Sequence, residues 1–220
     1  MTSFPNSPRV LKGGIVLLDP VTAMVQRVIT LQYNPDSMTR TLQVQGVGNQ
    51  SGDRSEALRL KGPPVEIIKV DAEIDAADQL EHPDQFQTVV TYGIHPQLAV
   101  LETLVYPTSS QLQANDALAQ VGTLEITPME SALTLFVWSA SRIVPVRITD
   151  FSVTEEAFDP QLNPIRAKVS LGLRVLSIND LGFRHKGGSL YMAYQRGKED
   201  LASNAPQGSF RDLLGVGKRP

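Results

Sequence analysis

The feature that most constrains this chain is residues 141–178, SRIVPVRITDFSVTEEAFDPQLNPIRAKVSLGLRVLSI, the longest uninterrupted strand signal in the sequence and one that carries its own turn. On the second arm Ile165, Ala167, Val169, Leu171, Leu173 and Val175 fall on one side, with Arg166, Lys168, Ser170, Gly172 and Arg174 on the other. That period of two describes a strand with one dry and one wet face. On the first arm Ile143, Pro145, Arg147, Thr149, Phe151 and Val153 share a side, opposite Val144, Val146, Ile148, Asp150, Ser152 and Thr154. Between the arms, FDPQLNP at 158–164 holds two prolines, which cannot donate to a ladder, plus an Asp and an Asn that favour turns. The reading is a long β-hairpin, its arms of roughly a dozen residues exceeding the usual five or six. Such a ribbon is buried against its own domain or offers its edges to another chain, and the sequence leaves both open.

At 220 residues and 41% hydrophobic content the chain makes one large domain, or one domain with appendages, with enough apolar mass for a core. The absence of cysteine excludes disulfides, thiolate metal sites and cysteine nucleophiles. No apolar run approaches the roughly 20 residues that span a bilayer, and MTSFPNSPRVLKGG lacks the apolar core of a signal peptide, so a soluble, cytoplasmic protein is expected. Charge is uneven. Residues 1–182 hold 13 Lys and Arg against 20 Asp and Glu, whereas residues 183–220 hold 7 against 3. A basic tail on an acidic body reads as a solvated terminus or a docking arm for an acidic partner. Nucleic acid is not an expected partner, because no basic patch is interleaved with aromatics.

Residues 1–12, with Pro5 and Pro8, read as a flexible lead. Short strands follow at 15–18, 27–33 and 38–47, each closed by turn residues. The glycine-rich, charged stretch 46–64 reads as a long loop. Residues 65–75 form a strand with Val70, Ala72 and Ile74 inward and Asp71, Glu73 and Asp75 outward. Asp78, Glu81, His82 and Asp84 prolong that acidic run, which suggests an oxygen-lined cation site. However, the order of a calcium loop is missing, and the strand carboxylates splay along ~13 Å of extended chain. A wet acidic face is therefore the reading, and no metal is expected.

Residues 86–105 carry the body's helical signal, with Phe86, Val90, Ile94, Leu98, Leu101 and Val105 at three- and four-residue steps. Gly93 and Pro96 predict a kink or two helices, the second starting at Pro96. His95, beside that break, has no nucleophile or orienting carboxylate at a telling spacing and reads as structural. Residues 107–131 form an insertion with a short helix over 114–121, and 133–138 is a strand whose Trp138 is either an interface anchor or a core filler. Beyond Gly182, residues 189–203 form a polar helix with a sparse face of Leu190, Ala193, Tyr194 and Leu201. A short amphipathic segment follows at 209–215. Helices this polar gain order by docking, which marks the tail as a partner-binding element. The division is a lead at 1–12, a β body at 13–182 and a helical extension at 183–220.

Catalytic signatures are missing: there is no phosphate-binding glycine loop, dinucleotide fingerprint, G-x-S-x-G, H-E-x-x-H or kinase motif. Glu155 and Glu156 adjoin the hairpin turn, but neighbours on a strand face opposite ways and make a poor acid and base pair. No enzymatic activity and no cofactor are expected, and a β-rich body with a long hairpin and a polar helical tail has the profile of an assembly subunit.

LQYNPDSMTRTLQ at 31–43, GDRSEALRLKGPPVEIIKVDAEIDAADQLE at 52–81, GIHPQLAVLETLVYP at 93–107 and VPVRITDFSVTEEAFDPQLNPIRAKVSLGLRVL at 144–176 together resemble the N-terminal domain of contractile injection system tube proteins. The blocks are collinear and cover most of residues 11–180. The resemblance implies a mainly β, phage tail-tube-like fold with a flanking helix, two sheets packed as a sandwich or partly closed barrel, assembled as a homo-hexameric ring. Members similar to this chain sit in the baseplate of a contractile injection particle, joining the trimeric spike hub to the inner tube or a second tube adaptor and starting tube assembly. Many relatives carry a C-terminal LysM domain, whose βααβ pattern residues 183–220 lack. That tail would instead bind a baseplate wedge or sheath component. By the same analogy the ring is built by the hairpin arms and loop 46–64, and the candidate interface residues are Trp138, Arg147, Phe158, Arg166, Arg174, Tyr191, Tyr194, Phe210 and Leu213. Other readings are the inner tube subunit itself and a carbohydrate- or peptidoglycan-binding baseplate module.

Overall fold

The alternating second arm of the hairpin becomes the spine of the sheet. The computed structural model describes residues 11–46, 59–120 and 131–206. Its strands are β1 (Gly14–Leu18), β2 (Val25–Thr30), β3 (Met38–Gln43), β4 (Val65–Asp75), β5 (Leu133–Ser139), β6 (Arg142–Phe158) and β7 (Pro164–Val175). They form one antiparallel sheet in the order β2-β1-β5-β6-β7-β4-β3. The fold is mainly β, as the sequence leads one to expect, but the two-sheet or partly closed arrangement is not what forms. β6 is the reason: residues 142–146 pair with β5 and residues 146–158 pair with β7, so one long strand belongs to both halves and fuses them. Among the described residues β2 and β3 do not meet, and the sheet stays open.

The dry face of β7 is largely as the alternation predicts, with Ala167, Val169, Leu171, Leu173 and Val175 all buried and Ile165, next to the turn, half-buried. Opposite them on β4 lie Ile68, Val70, Ala72 and Ile74. The first arm departs from its simple alternation. Ile148 sits opposite Leu173 and Asp150 opposite Gly172, so Thr149 is an extra, bulged residue. The bulge shifts the phase by one. Val146 and Ile148 then face the same way as Phe151 and Val153, and all four cover β7. A second, smaller cluster of Leu18, Leu133 and Leu135 is closed by Leu181 and Leu190.

The helical signal at 86–105 resolves into α2 (Gln87–Tyr92) and α3 (His95–Glu102), preceded by the single turn α1 (Ala77–Leu80). The break lies at Gly93, whose φ of 57° suits glycine and whose missing side chain makes room for the Pro164 carbonyl. Ile94 N donates to that carbonyl at 2.9 Å, so the gap receives the hairpin turn. Val89, Ile94, Leu98 and Leu101 are buried, whereas Phe86 and Val90 remain at the surface because the break changes the rotation between the two helices, and Val105 is exposed beyond the end of α3. α4 (Ser109–Gln120) has no buried residue. The short helix expected at 114–121 thus begins earlier.

After the capped turn α5 (Ile178–Leu181), α6 (Lys186–Ser203) lies against the core rather than apart from it. Its buried face is Tyr191 and Tyr194, one turn apart, while Leu201 and Ala193 stay exposed. The sparse apolar face read from the sequence was therefore rotated, since the two tyrosines carry more apolar surface than the alanine and leucine. Gly188 permits the close approach: a side chain there would overlap the Gly182 carbonyl. The amphipathic segment 209–215, loop residues 47–58 and lead residues 1–10 lie outside the described residues.

Candidate assembly interface

Strand edges are built from backbone, so their partners follow from the ladder registers. Among the described residues β2 pairs only with β1 and β3 only with β4. Among the described residues β7 is the sole ladder partner of residues 147–158 of β6, because β5 begins at Leu133 and reaches no further than Val146. A strand that is central in the sheet order is thus an edge along most of its length. Edges of this kind are templates for pairing with another chain.

Beneath the sheet's β3–β4 side one carboxylate is buried. Glu66 shares parity with Ile68, Val70, Ala72 and Ile74, so the strand that buries those residues also carries Glu66 inward, to 3% exposure. Arg40 on β3 donates to it at 2.8 Å, and from α6 the Tyr194 hydroxyl and the Lys198 ammonium each donate at 3.0 Å. Burial pushes the Glu66 carboxyl up, but Lys198, Tyr194 and Arg40 outweigh that and hold it below its ordinary value. Burial and the same carboxylate push the Tyr194 hydroxyl up to about 12. Lys198 also lies 4.0 Å from the centre of the Tyr194 ring. The cluster ties β3, β4 and α6 together.

The sequence-derived interface residues separate into three groups. Arg147 and Phe158 are exposed. Arg166 and Arg174 are engaged at the surface, by Asp75 and Asp180 respectively, both at 2.7 Å. Tyr191 and Tyr194 are core residues with no surface for a partner, because α6 docks on its own body. Trp138 is half-buried, stacked on Phe136 with ring centres 5.9 Å apart, and its ring occupies the space that a side chain on Gly13 would need. Phe210 and Leu213 lie outside the described residues.

The acidic run does not gather. Asp71 accepts from the Ser170 hydroxyl at 2.6 Å, and Glu73 lies 3.9 Å from Lys168. Among the described residues no group of three His, Asp or Glu side chains is placed to hold a metal ion. His95 is exposed at the start of α3. Glu155 and Glu156 face opposite ways, Glu156 towards Lys168 at 3.8 Å. Among the described residues no helix is long and apolar enough to cross a membrane.

Two residues matter that the sequence reading passed over. Glu66 was detectable from its parity within VEIIKV, where an inward carboxylate demands cationic partners. Leu162, in the hairpin turn, is 77% exposed, and with Phe158 it supplies the apolar side chains of an otherwise polar and proline-rich turn. No protein-family model and no curated protein sequence matches this chain.

Proposed function

We propose that this chain is a non-catalytic structural subunit of a contractile injection system baseplate, forming a hexameric ring that adapts a trimeric spike hub to the inner tube and starts tube assembly. The observation that supports it most is the length of free ladder edge along β2, β3 and residues 147–158 of β6. Pairing with neighbouring copies in a closed ring would occupy such edges on every subunit at once. The four collinear blocks that resemble tube proteins, 31–43, 52–81, 93–107 and 144–176, include β3, β4, α3, nearly all of β6 and β7, that is, the strands and helix around that edge. With α6 docked on the core, contact with a wedge or sheath component falls to the chain beyond Ser203.

The test is native mass spectrometry of the full chain, alone and co-expressed with a trimeric spike hub. The expected species is six copies of this chain on three hub chains. A chain that stays monomeric and ignores the hub overturns the proposal. Copies that stack without limit in the absence of the hub would point instead to the inner tube subunit. A second reading, a carbohydrate-binding module, is favoured by one feature: a polar groove of about 870 Å3 bordered by Tyr33, Asp36, Asp71 and Lys168. Retention on immobilised peptidoglycan, lost in Tyr33→Ala, would support that reading.

A further inference from the structure

We propose that the tip of the β6–β7 hairpin of one copy docks in the groove at the base of the same hairpin on the next copy, a head-to-tail contact between identical chains. The inference rests on the reading of this protein as a self-assembling subunit and adds the contact that joins the copies. At the tip Phe158 is 50% exposed and Leu162 77% exposed. Neither is on a loose loop. Asp159 accepts the backbone N–H groups of Gln161 and Asn163, each at 2.8 Å, and the Asn163 amide reaches both Asp159 and the Thr91 carbonyl of α2. Leu162 is held at a φ of 66° and Ala157 at 52°. Such left-handed backbone costs about 1 kcal/mol or more for a residue other than glycine. A turn that only reversed the chain would be easier with glycine at 162. Keeping leucine there, strained, rigid and in water, makes sense when the side chain itself has a destination.

The destination lies at the other end of the ribbon. A groove of about 510 Å3 opens beside β6 where β5 stops pairing with it, walled by Leu104, Val105, Leu133, Leu176 and Leu181, with Arg147 on its rim. Arg147 stands directly across the ladder from Arg174. Like charges opposed in this way repel. Arg174 is neutralised by Asp180, but among the described residues Arg147 has no carboxylate within ion-pairing distance. The groove therefore presents apolar walls and an unanswered cation. The tip presents two apolar side chains, and three residues back along β6 from Phe158, opposite Ala167, stands Glu155, which is exposed and likewise has no ion pair among the described residues. Ile148 and Phe158 are separated by about 33 Å of strand at ~3.3 Å per residue. Tip and groove on one hairpin cannot touch each other. A second copy can bring them together, and because the contact joins two different patches it propagates from copy to copy.

The chain contains no cysteine, so single cysteines can be placed without background. Leu162→Cys and Val105→Cys proteins, mixed and mildly oxidised, should yield a disulfide-linked heterodimer at least tenfold above that from Leu162→Cys mixed with Thr39→Cys on the far edge. Equal yields overturn the contact. In sedimentation velocity, Leu162→Asp and Arg147→Glu should each weaken self-association at least tenfold, and Arg147→Glu mixed with Glu155→Arg should recover it. Failure of that rescue, with both single variants folded by circular dichroism, also counts against the proposal. Six copies bound to the hub without tip-to-groove cross-links would remove this contact and leave the ring standing. Cross-links in a chain that ignores the hub would keep the contact and remove the adaptor.

Discussion

Replacing Glu66 tests whether the ion cluster, rather than apolar packing alone, holds α6 in place. Glu66→Ala leaves Lys198 and the Tyr194 hydroxyl without their acceptor and Arg40 with its 3.3 Å bond to the Tyr194 hydroxyl. Removing one partner of a buried pair costs about 3–5 kcal/mol. Here the side chains of Arg40 and Lys198 retain 29% and 33% exposure, so water recovers part of that, and the expected loss is about 2–3 kcal/mol. For a chain of this size that is roughly 5–10 °C in Tm. Glu66→Gln keeps the shape and an acceptor for Tyr194 but discards the charge, for about 1–2 kcal/mol. The carboxyl is depressed in the folded protein, so its stabilisation is present in full above the unfolded carboxylate range and is lost as pH falls through the lower folded value. The gap between wild type and Glu66→Gln should therefore be constant from pH 7 down to about 5 and narrow progressively as pH falls below the unfolded carboxylate range. Urea melts at pH 7, 5 and 3.5 read this directly, and trypsin cleavage after Arg196 and Lys198 should be faster in Glu66→Ala at pH 7. A gap that persists unchanged at pH 3.5, or a Glu66→Gln protein as stable as wild type at pH 7, would show that the three donors do not outweigh the cost of burying the carboxylate.

Two glycines of α6 should respond with opposite sign. Gly188→Ala drives a side chain into the Gly182 carbonyl and should cost about 1–2 kcal/mol despite the better helix former, whereas Gly197→Ala meets nothing within 4 Å and should gain up to about 1 kcal/mol, both read from urea midpoints. The bulge at Thr149 makes a second pair: Phe151→Ala should cost about 2 kcal/mol and Ser152→Ala less than about 0.5, and the reverse order would mean that the strand keeps an unbroken alternation.

The parts of this fold that were legible are those whose cause is local. β7 declares its buried face because Ala167, Val169, Leu171, Leu173 and Val175 recur with period two. The break in the 86–105 helix is announced by Gly93, which no other residue could replace cheaply at positive φ beside the Pro164 carbonyl. β6 was misread beyond Ile148 because its bulge contains Thr149, neither glycine nor proline, and alternation carried across it assigns Phe151 to the wrong side. The single open sheet was out of reach for a different reason. It depends on which strands share β6, and the pairings that decide this join residues far apart in sequence. The face of α6 was hidden by composition: Tyr191 and Tyr194 sit at helical spacing, but between lysine, arginine and glutamine they read as part of a solvated helix. For the candidate interface, Arg147 and Phe158 could be named from the arms of the hairpin, while the significance of Leu162 required knowing that its backbone is strained and its side chain in water.

The free edge of β6 follows from what the core requires. β7 must cover its apolar face along its whole length, and Phe151 and Val153 do so opposite Leu171 and Val169. β6 therefore cannot be shortened to match β5 without opening the core. On its other side β5 begins at Leu133, whose side chain is committed to the small cluster with Leu18 and Leu135. The two demands are met at different lengths, and the difference is left as backbone without a ladder partner among the described residues. Apolar burial is satisfied by any arrangement that excludes water, whereas ladder hydrogen bonds are directional, and an open edge is met by water, by side chains or by another strand. What the described residues leave open along 147–158 is therefore a strand edge of defined direction, with an exposed apolar tip at one end of it and a groove at the other.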